Sequence, residues 1–341
     1  MLRFLSSLFT GTSEQKKGLP EDLIEKAIER TVDGTDRRIR AIGQYRKRLH
    51  QPVELTIDHV ISTVDALPAP IEISPRAFGQ DSCLRAFFVS TDHLREVFGN
   101  FKTVRDYLTD LNGPLPEQIF GLLSMVMEER KVFGVELVGE TLRREVMQVT
   151  VNFSNHRYLG PTSTELDTRR ELKKRAFDFL IEKALERIAG ERSKRRELDR
   201  QWYLLQQKLN TMKAGNWGLD PMLTDHEQQH PDLAALEAEI EVIERELGQF
   251  HTDNLGLEES LASVIDTLSH PATWLASREI RLRLDSMGIK IEDSSTVPSK
   301  EIVLTEIFSG TGERRIVLLG HIARTDIPEP ASVWREAQRY L

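Results

Sequence analysis

Residues 225–232, DHEQQHPD, set His226, Glu227 and His230 at the spacing by which one turn of helix offers two imidazoles to zinc and a carboxylate to the attacking water. In that chemistry His226 and His230 are metal ligands, and Glu227 is the general base of a zinc-dependent hydrolase. The local context argues against it. Pro231 directly follows the second histidine and biases His230 away from the helical region, so a helix starts at Pro231, after the motif. The residues between the histidines are Gln228 and Gln229, which give no apolar backing. Glu237 or Glu241 would have to supply a third ligand. The expectation is therefore no catalytic residue, no metal and no cofactor, with the zinc hydrolase as the alternative.

Other reactive residue types are isolated. Cys83 is the single cysteine, so no disulfide forms within the chain, and its apolar neighbours read as packing in a reducing compartment. His59 sits at the boundary of an apolar helical stripe, and His321 alternates within a strand. The stretch SGTGE, residues 309–313, has the glycines of a phosphate loop. It lacks the lysine and precedes a strand, so it reads as a hairpin turn. In RSKRRELDR, residues 192–200, Glu197 and Asp199 interrupt the basic run. A solvated helix face fits better than a nucleic-acid surface, and nucleic-acid binding through this segment is a second alternative.

The chain that must position these groups has 341 residues, 39 % hydrophobic and 29 % charged, the composition of a globular protein with room for two domains. Its net charge of -8 does not favour attraction of the whole chain to nucleic acid or anionic lipid. No apolar run approaches the ~20 residues needed to span a bilayer. At the amino terminus Leu2, Phe4, Leu5, Leu8 and Phe9 fall on one side of a helix, with Arg3, Ser6 and Ser7 opposite. A polar linker follows. Such a segment can lie in a membrane interface or dock into a partner's groove.

Residues 20–112 read as helical, with stripes such as Leu23, Ile24, Ala27 and Ile28, or Val53, Ile57, Val60 and Val64. A new helix is expected at Pro52, and the proline-rich stretch 66–75 is not helical. Near residue 120 the period changes to two. Residues 125–140 read as a strand, a turn and a second strand, and Met147, Val149, Val151 and Phe153 form one face of another. Strand alternation returns across residues 278–293, 300–308 and 314–323.

Between the strand groups, apolar 3,4 spacing runs from Phe177 through Ile188, Trp202, Leu205 and Leu209 to Met212. It runs again from Leu233 through Leu236, Ile240, Ile243 and Leu247 to Leu268. Folding one segment back on the other pairs Met212 with Leu233, Leu209 with Leu236 and Leu205 with Ile240, residue numbers that always total 445, down to Phe177 with Leu268. Residues 164–213 carry net +5 and residues 231–268 net -9, so the two arms attract. The seam turns polar where Glu191 faces Asn254, and Gly190 and Gly256 fall at the same height, which reads as an elbow.

The fold expected is α+β: a helical amino-terminal domain plus a small, mainly antiparallel sheet interrupted by a long antiparallel coiled-coil hairpin. Its boundaries are 1–19 for the amphipathic segment and linker, 20–112 for the helical domain, 113–163 with 271–327 for the discontinuous β-rich domain, 164–270 for the arm, and 328–341 for a terminal helix. The function expected is that of a non-enzymatic interaction or scaffold protein in the cytoplasm. It binds a protein partner through the arm, whose tip offers Trp217, Leu219 and Met222, with the amino terminus available for peripheral contact on the inner face of a membrane.

Overall fold

The computed structural model describes residues 19–111, 113–138, 141–213, 233–249, 255–285, 287–291, 298–310 and 312–328. The fold is α+β. In chain order it runs α1 (Glu21–Gly34), α2 (Tyr45–Asp65), β1 (Ile71–Glu72), α3 (Pro75–Phe78), α4 (Ser82–Phe87), α5 (Thr91–Asn100), α6 (Lys102–Asp110), β2 (Gln118–Val138) and β3 (Thr141–Thr162). It continues with α7 (Glu165–Lys213), α8 (Leu233–Gln249), α9 (Leu255–Ser269), α10 (Pro271–Trp274), β4 (Leu275–Leu284), β5 (Lys300–Ser309) and β6 (Arg314–Ala323). Two compact units result, Ile57–Phe177 with the chain from Pro271 onward, and Gly18–Thr56 with Asp178–His270. The helices of residues 20–112 are shared between them, the division falling inside α2.

Two elements differ from their sequence reading. Helix α2 passes straight through Pro52. The ring removes one backbone donor, but a continuous stripe of Leu49, Val53, Ile57, Val60 and Val64 is buried on either side of it and offsets that loss. Strand β2 has no turn near residue 130: Glu128 to Lys131 pair without interruption with Asn152 to Val149 of β3. Here β2 has run past β6, whose pairing stops at Met125, so one edge of β2 carries no strand among the described residues and its polar side chains need not end the strand.

In the first unit the sheet order is β3-β2-β6-β5-β4, with β1 added in parallel to β6. Every other neighbouring pair is antiparallel. The sheet then closes on itself. Beyond β4, Asp285 accepts from the amides of Met287 and Ile289 at 2.8 Å through its side chain, and Gly288 has φ +75°, so the chain reverses within a few residues. The returning segment pairs Lys290 with Leu284 of β4 and Ile289 with Thr150 of β3. On the β3 side the Val151 amide donates to the Gly288 carbonyl and the Lys290 amide to the Val149 carbonyl, both at 2.8 Å. The two ends of the path, β3 and β4, are thereby bridged through this segment into a small barrel.

Alternation fills it. Leu123, Met125, Val151, Phe153, Leu282, Leu304 and Ile316 face inward and share one core with Leu84, Phe87, Phe88, Leu94, Phe98 and Val104 of the short helices. A barrel of so few strands leaves space only for side chains. Phe87 of α4 meets Phe153 edge to face at 4.9 Å. Tyr158, fully buried, donates to the carbonyls of Ile119 and Gly320. Outward residues Leu122, Val317 and Leu319 are covered by Val64 and Leu67 at the end of α2 and by Leu172 of α7. Arg169 of α7 fixes that end, donating to the carbonyls of Val64 at 2.8 Å and Leu67 at 3.0 Å, a cation placed at the carbonyl end of the helix.

The second unit is helical. Ile24, Ala27, Ile28 and Val32 of α1 are buried, as are Ile181, Ala184 and Ile188 of α7 and Leu261, Val264 and Leu268 of α9. Gly34 is needed for close approach, since a Cβ there would lie 2.5 Å from Ile181 Cγ2.

Candidate functional site

Helix α7 is continuous for 49 residues. On its distal half Leu209 forms a buried cluster with Leu236 and Ile240 of α8, against which Trp202, Leu205 and Met212 pack. The Trp202 indole donates to Glu244 at 2.8 Å, and Lys213 pairs with Glu237 at 2.7 Å. These contacts run in opposite chain directions, so the two helices are antiparallel. Toward the base the partners change. Arg187 reaches Asp266 at 2.5 Å, Ser263 donates to Glu191 at 2.6 Å, and Arg192 donates to Ser260 at 2.9 Å. These pairs are offset by about two helical turns from the constant register, which therefore does not extend to Phe177 and Leu268. The reason is that the return arm is two helices, α8 and α9, each of which takes its own register on the single α7.

Gly190 and Glu191 lie inside unbroken α7, and Gly256 stands in the first turn of α9, its carbonyl accepting from Ser260. A Cβ on Gly190 or Gly256 would meet nothing within 4 Å, so packing does not require either glycine. Nearby, Asp36 is almost fully buried and is held by both Arg38 and Arg192. The Arg38 hydrogen bond, opposed by burial and assisted by Arg192, keeps its carboxyl below the usual carboxylate range. The network is a structural staple: every charge in it already has a partner.

The remaining sequence candidates lie outside the described residues: Leu2, Phe4, Leu5, Leu8 and Phe9; Trp217, Leu219 and Met222; His226, Glu227 and His230; and Asn254. The segment 329–341 of the expected terminal helix does too. Cys83 is part-buried, and burial pushes its thiol up to about 11, far from the thiolate a nucleophile needs. His59 hydrogen-bonds the Leu275 carbonyl at 2.7 Å, and the His321 ring lies 5.1 Å from that of Phe120. His93 and His156 have ring centres 5.9 Å apart, and His156 is lowered first by burial. Among the described residues no group of three metal-ligating side chains forms.

Sequence reasoning missed the open end of the barrel. A concavity of about 550 Å³ there is lined by Met127, Glu129, Arg278, Ile280, Arg281, Leu282, Lys290, Glu306, Arg314, Arg315 and Ile316. Register places most of these on the inward face. Arg278 stands opposite Glu306 and Glu306 opposite Ile316, while Glu129 stands opposite the buried Val151. Glu306 is 5 % exposed and is gripped by Arg278 at 2.5 Å; Lys290 pairs with Glu129 at 2.8 Å. The lining has no serine, cysteine, histidine or tyrosine, so what it offers chemically is charge and apolar surface for binding.

No family model, no curated protein and no solved structure matches this chain.

Proposed function

We propose that the protein is a non-enzymatic interaction or scaffold protein that engages a protein partner through a coiled-coil arm built from α7 and α8. The observation that carries this reading is apolar surface left over after the seam is filled. Leu209, Leu236 and Ile240 are buried, yet Tyr203, Leu204 and Val242 on the same helices are 63 %, 52 % and 44 % exposed. A buried aromatic among such residues is the usual anchor of an interface. The opposite net charges of the two arms support pairing within one chain, with side chains such as Lys213 and Glu237 meeting across it. No helix among the described residues is long and apolar enough to cross a membrane. A cytoplasmic location with peripheral contact through residues 1–9 belongs to the same proposal, as does a contribution of Trp217, Leu219 and Met222 to the partner surface.

The test replaces Tyr203 and Leu204 together by glutamate, positions whose exposure leaves the seam intact. Affinity capture from lysate of the source cells should lose at least one specifically retained protein that the wild type holds, with the melting temperature unchanged. Identical retention by wild type and variant would refute the arm as the interface.

A further inference from the structure

The barrel mouth has two layers. Met127, Ile280, Leu282 and Ile316 form an apolar floor, and charged side chains stand above it at the strand ends. Cations outnumber carboxylates, and the carboxylates are already taken: Glu306 by Arg278 and Glu129 by Lys290, while Arg281 pairs with Glu279 outside the lining. Arg314 stands opposite Phe308, whose ring is 5.7 Å from the Arg278 guanidinium, and it is engaged by no carboxylate among the described residues. Its neighbour Arg315 has the parity of the outward Val317, and its Nη2 contacts the Asn155 carbonyl at 3.4 Å, so Arg314 is the cation of the inward face left without a carboxylate among the described residues. A rim guanidinium with no carboxylate partner is open to an oxyanion, which supplies charge-assisted acceptors.

The volume of about 550 Å³ is in the range of small-molecule sites, and barrel mouths are common places for them. We infer that this mouth binds a small amphipathic oxyanion: a molecule with a short apolar body lying on the floor and a terminal phosphate or carboxylate received by Arg314 and the rim. Arginine suits either headgroup because its planar fork offers paired donors. The site belongs to the first compact unit, whereas the arm surface belongs to the second, so this inference does not rest on the proposed function.

The test is calorimetric titration of the full chain with octyl phosphate, octanoate, inorganic phosphate and octyltrimethylammonium, all below their micellar concentrations. The two amphipathic anions should include at least one that binds, and which one does identifies the headgroup. Inorganic phosphate, which lacks the body, and the cationic probe should each bind at least about tenfold more weakly. Arg314→Gln, at an exposed rim position, should weaken the anion by about tenfold or more without changing the melting temperature, and Arg314→Lys should recover only part of it. Any one of three results overturns the inference: no probe binding at millimolar concentration, equal binding by the octyl cation or by inorganic phosphate, or anion binding unaffected by Arg314→Gln.

Discussion

Closure of the barrel depends on Gly288, and Gly288→Ala tests it. The residue has φ +75°, where an alanine side chain costs about 1–2 kcal/mol from backbone sterics alone. A second cost comes from packing. The added Cβ would lie 3.2 Å from the Val151 carbonyl oxygen, and that strand is tied to Gly288 by the 2.8 Å bond from the Val151 amide. The strands must part by a few tenths of an ångström, weakening a hydrogen bond of net worth about 0.5–1.5 kcal/mol. Gly312 supplies the control: its φ is +88°, yet a Cβ there meets nothing within 4 Å. Gly312→Ala should therefore show the conformational cost alone, and Gly288→Ala should exceed it by about 1 kcal/mol. Urea unfolding gives the difference, and hydrogen exchange at the Val151 and Lys290 amides locates it: both should exchange faster in Gly288→Ala and not in Gly312→Ala. Equal costs with unchanged exchange would show that residues 287–291 do not close the sheet.

Two further outcomes are expected. In a Cys83→Ser background, Leu205→Cys with Ile240→Cys should crosslink within one chain at low concentration, because both residues pack in the Leu209 cluster; preferential crosslinking of Leu205→Cys with Leu247→Cys would contradict that register. Asp36 has a folded-state carboxyl held below its unfolded value of about 3.9, so its contribution to stability is fully present above that pH and is lost as pH falls through the folded value. Asp36→Asn should thus lower the urea midpoint at pH 7, and the gap from wild type should narrow below about pH 4; a gap of constant size from pH 7 to pH 3 would remove Asp36 from the acid response.

Much of the architecture was legible because burial imposes a period. The stripe Val53, Ile57, Val60 and Val64 is the buried face of α2, and Val151 and Phe153 are the inward face of β3. Local punctuation was less dependable. Pro52 marks no helix start, since tertiary burial on both sides overrides the loss of one hydrogen bond. Met147 continues the alternation of Val151 and Phe153 but is 63 % exposed, and its cross-strand partner Phe133 is 79 % exposed. Alternation reports which residues share a face of a strand. It cannot report whether another layer covers that face, and along the free ribbon none among the described residues does.

The mouth was illegible for a related reason, although one signal pointed to it. Its residues come from positions 127–129, 278–282, 290, 306 and 314–316, brought together by strand pairings that no local window contains. Yet Arg278 has the parity of Ile280 and Leu282, Glu306 that of Ile302 and Leu304, and Arg314 that of Ile316. A charged side chain on the apolar parity of a strand must either break the pattern or face inward where the core ends. Three adjacent strands make the same substitution at the same end of the sheet, and a single exception at a strand terminus would mean little. Charges repeated at one end of the inward face of neighbouring strands mark the place where a packed interior gives way to a polar opening. Once β4, β5 and β6 are known to be neighbours in that register, the rim follows from the sequence. Before that, parity sets Arg278 apart from Arg281 and Arg283 on the opposite face of the same strand, but nothing brings it to Glu306 or Arg314.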